Sequence, residues 1–160
     1  MTGANILPLS LYLADADATA ALGQWFAPRL RAGDTLLLEG AIGAGKSHFA
    51  RALIQTRLGR AEDVPSPTFT LVQTYQADVE LWHADLYRLT HPDEVLELGL
   101  EAAFDSAICL IEWPDRLGRH TPTRALRLHF SLEGDGRQVG IDLDGRADLA
   151  AALEADFGRK

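Results

Sequence analysis

The sequence predicts an α/β fold in which a mixed, mostly parallel sheet is flanked by helices. Two short and continuously apolar segments, residues 35–39 (TLLLE) and 107–111 (AICLI), are typical of parallel strands that are buried on both faces. Segments with strand and helix patterns alternate over the first two thirds of the chain, and paired strand patterns follow. This order is typical of a helix-covered parallel sheet that antiparallel hairpins extend.

Capping and turn residues delimit the elements of the N-terminal part. Asp15 or Asp17 can cap a helix in which apolar residues recur at helical spacing up to about Leu30. Gly59 can close the helix that follows a glycine-rich segment, because glycine readily adopts the left-handed conformation at helix ends. The predicted elements are strands at 6–13 and 35–39 and helices at 15–30 and 46–58.

The C-terminal part is expected to combine hairpins with two further helices. Short turns at 76–78 and 134–136 each join two segments with strand patterns. Pro92, followed by two acidic residues, is typical of the first turn of a helix, which here would continue to Gly99. The predicted elements are strands at 70–75, 79–85, 107–111, 125–131 and 138–143 and helices at 91–99 and 147–157.

Length and charge narrow the classes of function. A chain of 160 residues suits one domain, which we expect to span 1–160. Its 23 acidic and 15 basic residues give a net charge of −8, which argues against a protein that binds nucleic acid on its own. Thirteen of the 15 basic residues are arginines, so Lys46 is one of only two lysines, with Lys160.

The sequence also indicates a cytoplasmic location. No apolar run approaches about 18 residues, and the N-terminus lacks the basic region and cleavage site of a signal peptide. We therefore expect neither a membrane span nor export. The single cysteine, Cys109, lies in an apolar strand pattern and is expected to be a buried, inert thiol.

The glycine-rich segment at 40–47 (GAIGAGKS) matches the phosphate-loop (P-loop) pattern G-x-x-x-x-G-K-[ST] at every fixed position. Glycines let successive backbone N–H groups point at phosphate oxygens, and the following helix adds its N-terminal dipole. Lys46, expected to be an exposed loop lysine, would reach the β- and γ-phosphates, and the Ser47 hydroxyl would be a Mg²⁺ ligand. A chance match is expected about once in a thousand chains of this composition.

Two carboxylates at predicted strand ends are candidate partners of the metal. Glu112 follows four apolar residues (ICLI), which is the Walker-B pattern, and Asp85 ends the strand pattern at 79–85. Either carboxylate can hold Mg²⁺ or its water, with the other positioning the attacking water.

Signatures of several other sites are missing from the sequence. The N-K-x-D motif of guanine-specific GTPases does not occur, nor does the G-x-S-x-G motif of lipase-type hydrolases. The five histidines form no C-x-x-C or H-x-x-x-H grouping, so a zinc site is not expected.

Four segments together resemble one family, the bacterial TsaE (YjeE) ATPases. They lie at 40–47 (GAIGAGKS), 66–72 (SPTFTLV), 83–89 (HADLYRL) and 108–114 (ICLIEWP), and residues 97–100 (ELGL) also fit the family pattern. The resemblance implies a small P-loop ATPase that binds ATP or ADP with Mg²⁺ and serves N6-threonylcarbamoylation (t6A) of adenosine 37 in tRNA. It also implies work with the proteins TsaD and TsaB, slow hydrolysis that resets their assembly, and only indirect contact with tRNA.

The resemblance further implies a role for each matching position. Thr68 would sense the γ-phosphate from a loop at 66–69 that resembles a GTPase switch, and Trp113 would lie beside the nucleotide. The segments 15–19 and 136–137 would approach the adenosine. The implied catalytic residues are Lys46, Asp85, Glu112 and Thr68, and the implied metal ligands are Ser47, Glu112 and Asp85. The implied nucleotide contacts are Gly40, Ile42, Gly43, Ala44, Gly45, Lys46, Ser47, His48, Trp113, Thr19, Gly136 and Arg137.

Two positions depart from the family pattern. Ala41 replaces the acidic residue that commonly follows the first glycine of the P-loop, and His48 replaces a second hydroxyl. The His48 imidazole would contact the α-phosphate in place of that hydroxyl or cover the site, and both departures bear on nucleotide affinity and rate.

Two alternative functions are compatible with the same P-loop. The chain would be a small-molecule kinase if a group of arginines formed a lid that clamps phosphate. Those arginines are Arg116, Arg119, Arg124 and Arg127. It would instead be a nucleotide-gated scaffold if hydrolysis were incidental to binding partners.

Overall fold

The two continuously apolar segments form neighbouring parallel strands at the centre of a seven-stranded sheet. A computed structural model describes residues 9–41, 43–60, 62–67 and 70–157. The strands are β1 (Leu9–Leu13), β2 (Thr35–Gly40), β3 (Val72–Gln76), β4 (Glu80–Asp85), β5 (Ile108–Glu112), β6 (Leu126–Glu133) and β7 (Gly136–Asp142). The helices are α1 (Ala16–Phe26), α2 (Lys46–Leu58), α3 (Glu94–Glu97), α4 (Leu100–Ser106) and α5 (Ala147–Phe157), and a 3₁₀ segment spans Pro114–His120.

The sheet is mixed, as the sequence predicts. Its strand order is β1-β7-β6-β2-β5-β4-β3, and the four neighbours β6, β2, β5 and β4 run parallel to one another. The hairpins β3–β4 and β6–β7 and the pairing of β1 with β7 add the antiparallel strands. Because β2, β4 and β5 are parallel, their carboxyl ends meet at the same edge of the sheet.

Helices cover both faces of this sheet. Alternate residues of β2 enter two separate hydrophobic clusters, Leu36 and Leu38 in one and Leu37 in the other, because successive side chains of a strand point to opposite faces. The first cluster includes buried side chains of α1, α2 and α5, and the second includes side chains of α3 and α4. A strand buried on both faces explains the continuous apolar run at 35–39.

Most predicted helix and strand positions agree with the structure, and the helix at 46–58 agrees at both ends. The predicted helix at 15–30 ends at Phe26, because Pro28 has no N–H to continue the helical hydrogen bonds. The predicted helix at 91–99 is also wrong in its extent. Gly99 adopts φ 80° between α3 and α4, so a second short helix follows that the sequence reasoning missed. Residues 6–8 of the first predicted strand lie outside the described residues.

Cys109 is fully buried in β5, as predicted, and burial raises the pKa of its thiol to about 12. Since the thiolate is the reactive form, the native protein is expected not to react with a disulfide-exchange reagent at pH 8. In the unfolded protein, one equivalent of thiol is expected to react under the same conditions. Absorbance at 412 nm with Ellman's reagent measures both, and stoichiometric reaction without denaturant would contradict the prediction.

Within the part of the chain that the structure describes, no helix has the length and apolar character needed to cross a membrane.

Candidate nucleotide-binding site

The glycines of the predicted P-loop adopt backbone conformations that other residues rarely reach. Gly40, Gly43 and Gly45 have φ values of 131°, 85° and 106°. A Cβ at Gly40 would lie 2.2 Å from the carbonyl oxygen of Phe130, so the end of β2 passes too close to β6 for any side chain. Gly45 precedes α2 without a side-chain cap, which leaves the first N–H groups of that helix directed at the loop.

Substituting these glycines is expected to separate steric crowding from backbone strain. Gly40→Ala should lower the free energy of unfolding by about 2–4 kcal/mol, because its Cβ meets the Phe130 backbone in addition to the positive φ. Gly43→Ala should cost only about 1–2 kcal/mol, because nothing lies within 4 Å of its Cβ. Urea unfolding of both variants measures the difference, and equal losses would contradict it.

The Lys46 side chain is enclosed rather than exposed. It is 4% exposed, its Nζ donates a hydrogen bond of 2.5 Å to the carbonyl of Gly40, and its ammonium lies 3.9 Å from the centroid of the Trp113 ring. The expectation of an exposed loop lysine is therefore wrong, because an indole from a distant segment covers it. Burial lowers the pKa of Lys46, and the charges of Glu112, Asp85 and Asp115 act in the opposite direction.

The structure brings Ser47 and Glu112, two predicted metal ligands, into direct contact. The Ser47 hydroxyl lies 3.1 Å from Oε2 and 3.2 Å from Oε1 of the Glu112 carboxylate, and it is the donor because an ionised carboxylate can only accept. Ser47 is on the first turn of α2, and Glu112 is the last residue of β5. The carboxylate is buried, and it accepts hydrogen bonds from Ser47 on the P-loop helix and from His83 on the neighbouring strand β4.

The structure also brings Asp85 beside Glu112. Both end parallel strands, and the register of β4 with β5 pairs the two residues directly. The Asp85 side chain is buried, and its Oδ1 accepts a hydrogen bond of 3.0 Å from the backbone N–H of Tyr87. The two carboxylates that the sequence singles out therefore stand side by side at the carboxyl edge of the sheet.

His83 is a residue to which the sequence reasoning gave no role. It lies two positions before Asp85 on β4, and its Nε2 is 2.7 Å from Oε2 of Glu112. The signal that could have found it is the spacing of two, which places both side chains on one face of a strand. The contact of His83 with Glu112 depends on the pairing of β4 with β5, which the sequence does not reveal.

Trp113 forms an aromatic wall beside the P-loop. It has φ 58°, which is unusual for a residue other than glycine, and it directly precedes the 3₁₀ segment. Its ring centroid lies 4.9 Å from that of Tyr87, whose side chain is exposed. The indole thus has Lys46 on one side and an exposed tyrosine within stacking distance.

A cleft of about 620 Å³ opens above the P-loop, which is within the range for sites that bind small molecules. The Arg137 guanidinium donates a hydrogen bond of 3.1 Å to the Gly43 carbonyl, and His48 Nε2 donates one of 3.1 Å to the Ala16 carbonyl. The cleft is lined by Leu13, Asp15, Ala16, Thr19, Gly43, Gly45, Lys46, Ser47, His48, Asp85, Tyr87, Glu112, Asp135, Gly136 and Arg137. Segments far apart in the chain therefore converge on the P-loop, including the predicted 15–19 and 136–137.

Some predicted residues lie elsewhere or outside the described parts of the chain. Ile42 and Thr68 are outside the described residues. Ala44 is buried in the core beneath the loop, and Gly40 and Trp113 line a neighbouring groove of about 570 Å³. None of the arginines of the alternative lid lines the cleft. Arg116 lies over the Tyr87 ring, Arg119 pairs with Asp93, Arg124 donates to the Gly145 carbonyl, and Arg127 pairs with Glu39.

Comparisons with known proteins identify relatives of this chain in sequence and in fold. A protein of Nostoc sp. described as tRNA threonylcarbamoyladenosine biosynthesis protein TsaE is 41% identical over 138 residues, which cover 82% of this chain and 83% of that protein. A protein of Rickettsia bellii with the same description is 37% identical over 115 residues, covering 71% of this chain and 80% of its own. The crystal structure of YdiB from Bacillus subtilis has a TM-score of 0.76 and 26% identity, covering 92% of this chain and 94% of that one.

A family model also matches most of the chain. It is described as threonylcarbamoyl adenosine biosynthesis protein TsaE, and it matches residues 13–139, which include both strand-end carboxylates and the P-loop. The chain belongs to the TsaE family of threonylcarbamoyl adenosine biosynthesis proteins.

Proposed function

We propose that this protein binds ATP in the cleft and hydrolyses it slowly to ADP and phosphate in support of tRNA threonylcarbamoylation. The observation that carries the proposal is the convergence of Lys46, Ser47 and Glu112 at the start of α2, beneath a loop of left-handed glycines. A cation, a hydroxyl and a carboxylate in this arrangement suit a phosphate chain with its metal ion.

The phosphate chain would be held by the P-loop backbone and by Lys46. The first N–H groups of α2 have no side-chain cap, so they are available to phosphate oxygens. The Lys46 ammonium donates to the neutral carbonyl of Gly40 in the structure. A phosphate oxygen is a stronger acceptor than a carbonyl because it is charged, so nucleotide binding gives this ammonium a better partner.

The residues around Ser47 fit a magnesium ion by their chemistry. Magnesium prefers oxygen ligands, and the Ser47 hydroxyl and the Glu112 carboxylate are oxygen donors already in contact. Asp85 stands beside them by strand register and adds a second carboxylate. Bound Mg²⁺ would neutralise charge on the phosphates and polarise the bond that is broken.

We assign the two carboxylates different tasks. Glu112 accepts a hydrogen bond from the hydroxyl of Ser47, which is a proposed Mg²⁺ ligand, so we assign Glu112 to the metal. Asp85 is placed next to it on β4, and we assign it the attacking water. Thr68 is proposed to sense the γ-phosphate.

The adenosine would occupy the outer part of the cleft. Thr19 on α1 and Gly136 and Arg137 at the start of β7 line the cleft, and Arg137 donates a hydrogen bond to the Gly43 carbonyl of the P-loop. His48 lines the cleft and donates a hydrogen bond to the Ala16 carbonyl, and we propose that its imidazole covers the nucleotide.

The proposed partners are TsaD and TsaB, which the family resemblance implies. A net charge of −8 favours a protein that reaches tRNA only through such partners, because direct binding needs basic surface. The test is release of phosphate from Mg·ATP by the purified protein, measured with and without TsaB–TsaD. We expect release without any acceptor and faster release with the partners. A requirement for a phosphorylatable small molecule would favour the kinase instead.

A further inference from the structure

His83 is a polar side chain enclosed beside the proposed site, and the proposed function gives it no task. It is 1% exposed, although imidazoles are usually found at least partly in contact with solvent. Leu81, two residues earlier and on the same face of β4, is fully buried and apolar. An apolar residue would therefore suit this position if packing alone decided it.

The direction of its hydrogen bond follows from the acceptor. An ionised carboxylate can only accept, so the proton lies on Nε2 of His83, which donates to Oε2 of Glu112 over 2.7 Å. The same carboxylate accepts the Ser47 hydroxyl from the opposite element, α2. Glu112 is thereby held from two sides, by β4 through His83 and by the P-loop helix through Ser47.

The second ring nitrogen of His83, Nδ1, indicates that the residue is not there for stability. Nδ1 of His83 is buried and has no hydrogen-bond partner among the described residues. A buried polar atom without a partner lowers stability, because its hydration is lost and not replaced. Within the described part of the chain, the imidazole thus makes a single hydrogen bond, and that bond goes to the carboxylate proposed to hold the metal.

We propose that His83 is a positioning residue that fixes the Glu112 carboxylate in the orientation required at the metal. This inference rests on the proposed function. A glutamate side chain has several rotatable bonds, and a donor anchored in a buried strand restricts the carboxylate to one orientation. Residues that orient a metal ligand in this way typically affect metal affinity by about 10–100-fold when they are replaced.

The test measures metal binding rather than hydrolysis. Mn²⁺ replaces Mg²⁺, and the electron paramagnetic resonance signal of free Mn²⁺ gives its affinity for the protein saturated with ADP. His83→Leu removes the donor at similar volume, and we expect it to weaken Mn²⁺ binding by about tenfold or more. ADP affinity measured in EDTA is expected to stay unchanged, because His83 bonds to Glu112 and is not among the residues that line the cleft.

Two further substitutions distinguish positioning from packing. The amide nitrogen of His83→Gln can occupy the place of Nε2, so this variant should recover most of the Mn²⁺ affinity, whereas the shorter His83→Asn should not. This pair decides the question even if His83→Leu fails to fold. Leu81→Ala, on the same strand, serves as the control: it should lower the melting temperature and keep Mn²⁺ affinity.

The outcomes separate this inference from the proposed function. Wild-type protein that binds Mn²⁺ with ADP, together with folded His83→Leu and His83→Asn variants of equal Mn²⁺ affinity, would overturn the inference alone. Wild-type protein whose ADP binding does not depend on Mn²⁺ would overturn the proposed function and the inference with it.

Discussion

Replacing Lys46 with methionine is expected to slow ATP hydrolysis by about 10²–10³-fold, because it removes a positioned cation from the developing charge on the phosphates. Stability is expected to change by less than about 1 kcal/mol. The lysine is enclosed by the Gly40 carbonyl and the Trp113 ring, and burial lowers the pKa of its ammonium, so the folded state holds this charge at a cost. Methionine removes the cost together with the attraction to Glu112 and Asp85.

Phosphate release from Mg·ATP and urea unfolding measure the two effects separately. Lys46→Arg tests whether charge alone suffices, and we expect it to be impaired too, because a planar guanidinium does not fit the space of a compact ammonium. Lys160→Met is the matched control, since it removes the other lysine, outside the matched residues 13–139. Hydrolysis at the wild-type rate by Lys46→Met would contradict the assignment of the site.

The elements that were predicted best from the sequence begin and end at residues whose local conformational preferences set the boundary. Helix α2 begins after Gly45 and ends before Gly59, and both glycines are left-handed, with φ values of 106° and 75°. Residues 36–38 of β2 and 108–111 of β5 are all apolar because helices cover both faces of the sheet. Such features need only a few neighbouring residues, so a single sequence reveals them.

Gly99 illustrates why other boundaries were missed. Residues 91–99 read as one helix, but Gly99 turns the chain with φ 80°, and its Cα faces the Trp82 ring, which an added Cβ would approach to 3.5 Å. Glycine inside a helical pattern can continue the helix or break it, and here the helix breaks at a position where a side chain would contact Trp82 on β4. That contact is set by tertiary packing and has no local signal.

The same distinction applies to the candidate site. The P-loop is contiguous in sequence, so its motif could be identified, and the Walker-B pattern singled out Glu112, which contacts Ser47, 65 residues away. The burial of Lys46 beneath Trp113 and the bond from His83 to Glu112 were not predicted. Both depend on how separate strands and loops are placed, and a motif specifies the residue types in a site without specifying which side chain encloses which.

Replacing Glu112 with glutamine is expected to remove most of the Mg²⁺ dependence of nucleotide binding. The ratio of ADP affinities with Mg²⁺ and with EDTA should fall at least about tenfold, because a neutral amide is a weaker metal ligand than a carboxylate. The fold should survive, since glutamine is isosteric and can still accept from the Ser47 hydroxyl through its amide oxygen. Isothermal titration with ADP measures the ratio, and thermal unfolding checks the fold.

Asp85→Asn is the matched substitution, because Asp85 and Glu112 are buried carboxylates paired across adjacent parallel strands. If Asp85 positions the attacking water, this variant should keep the wild-type ratio of ADP affinities while hydrolysis falls by about 10²–10⁴-fold, the usual contribution of a positioned base. The opposite pattern, with metal dependence lost in Asp85→Asn and kept in Glu112→Gln, would exchange the two roles. The Ser47 hydroxyl favours the first pattern, since its single proton is directed at the Glu112 carboxylate, within reach of both oxygens.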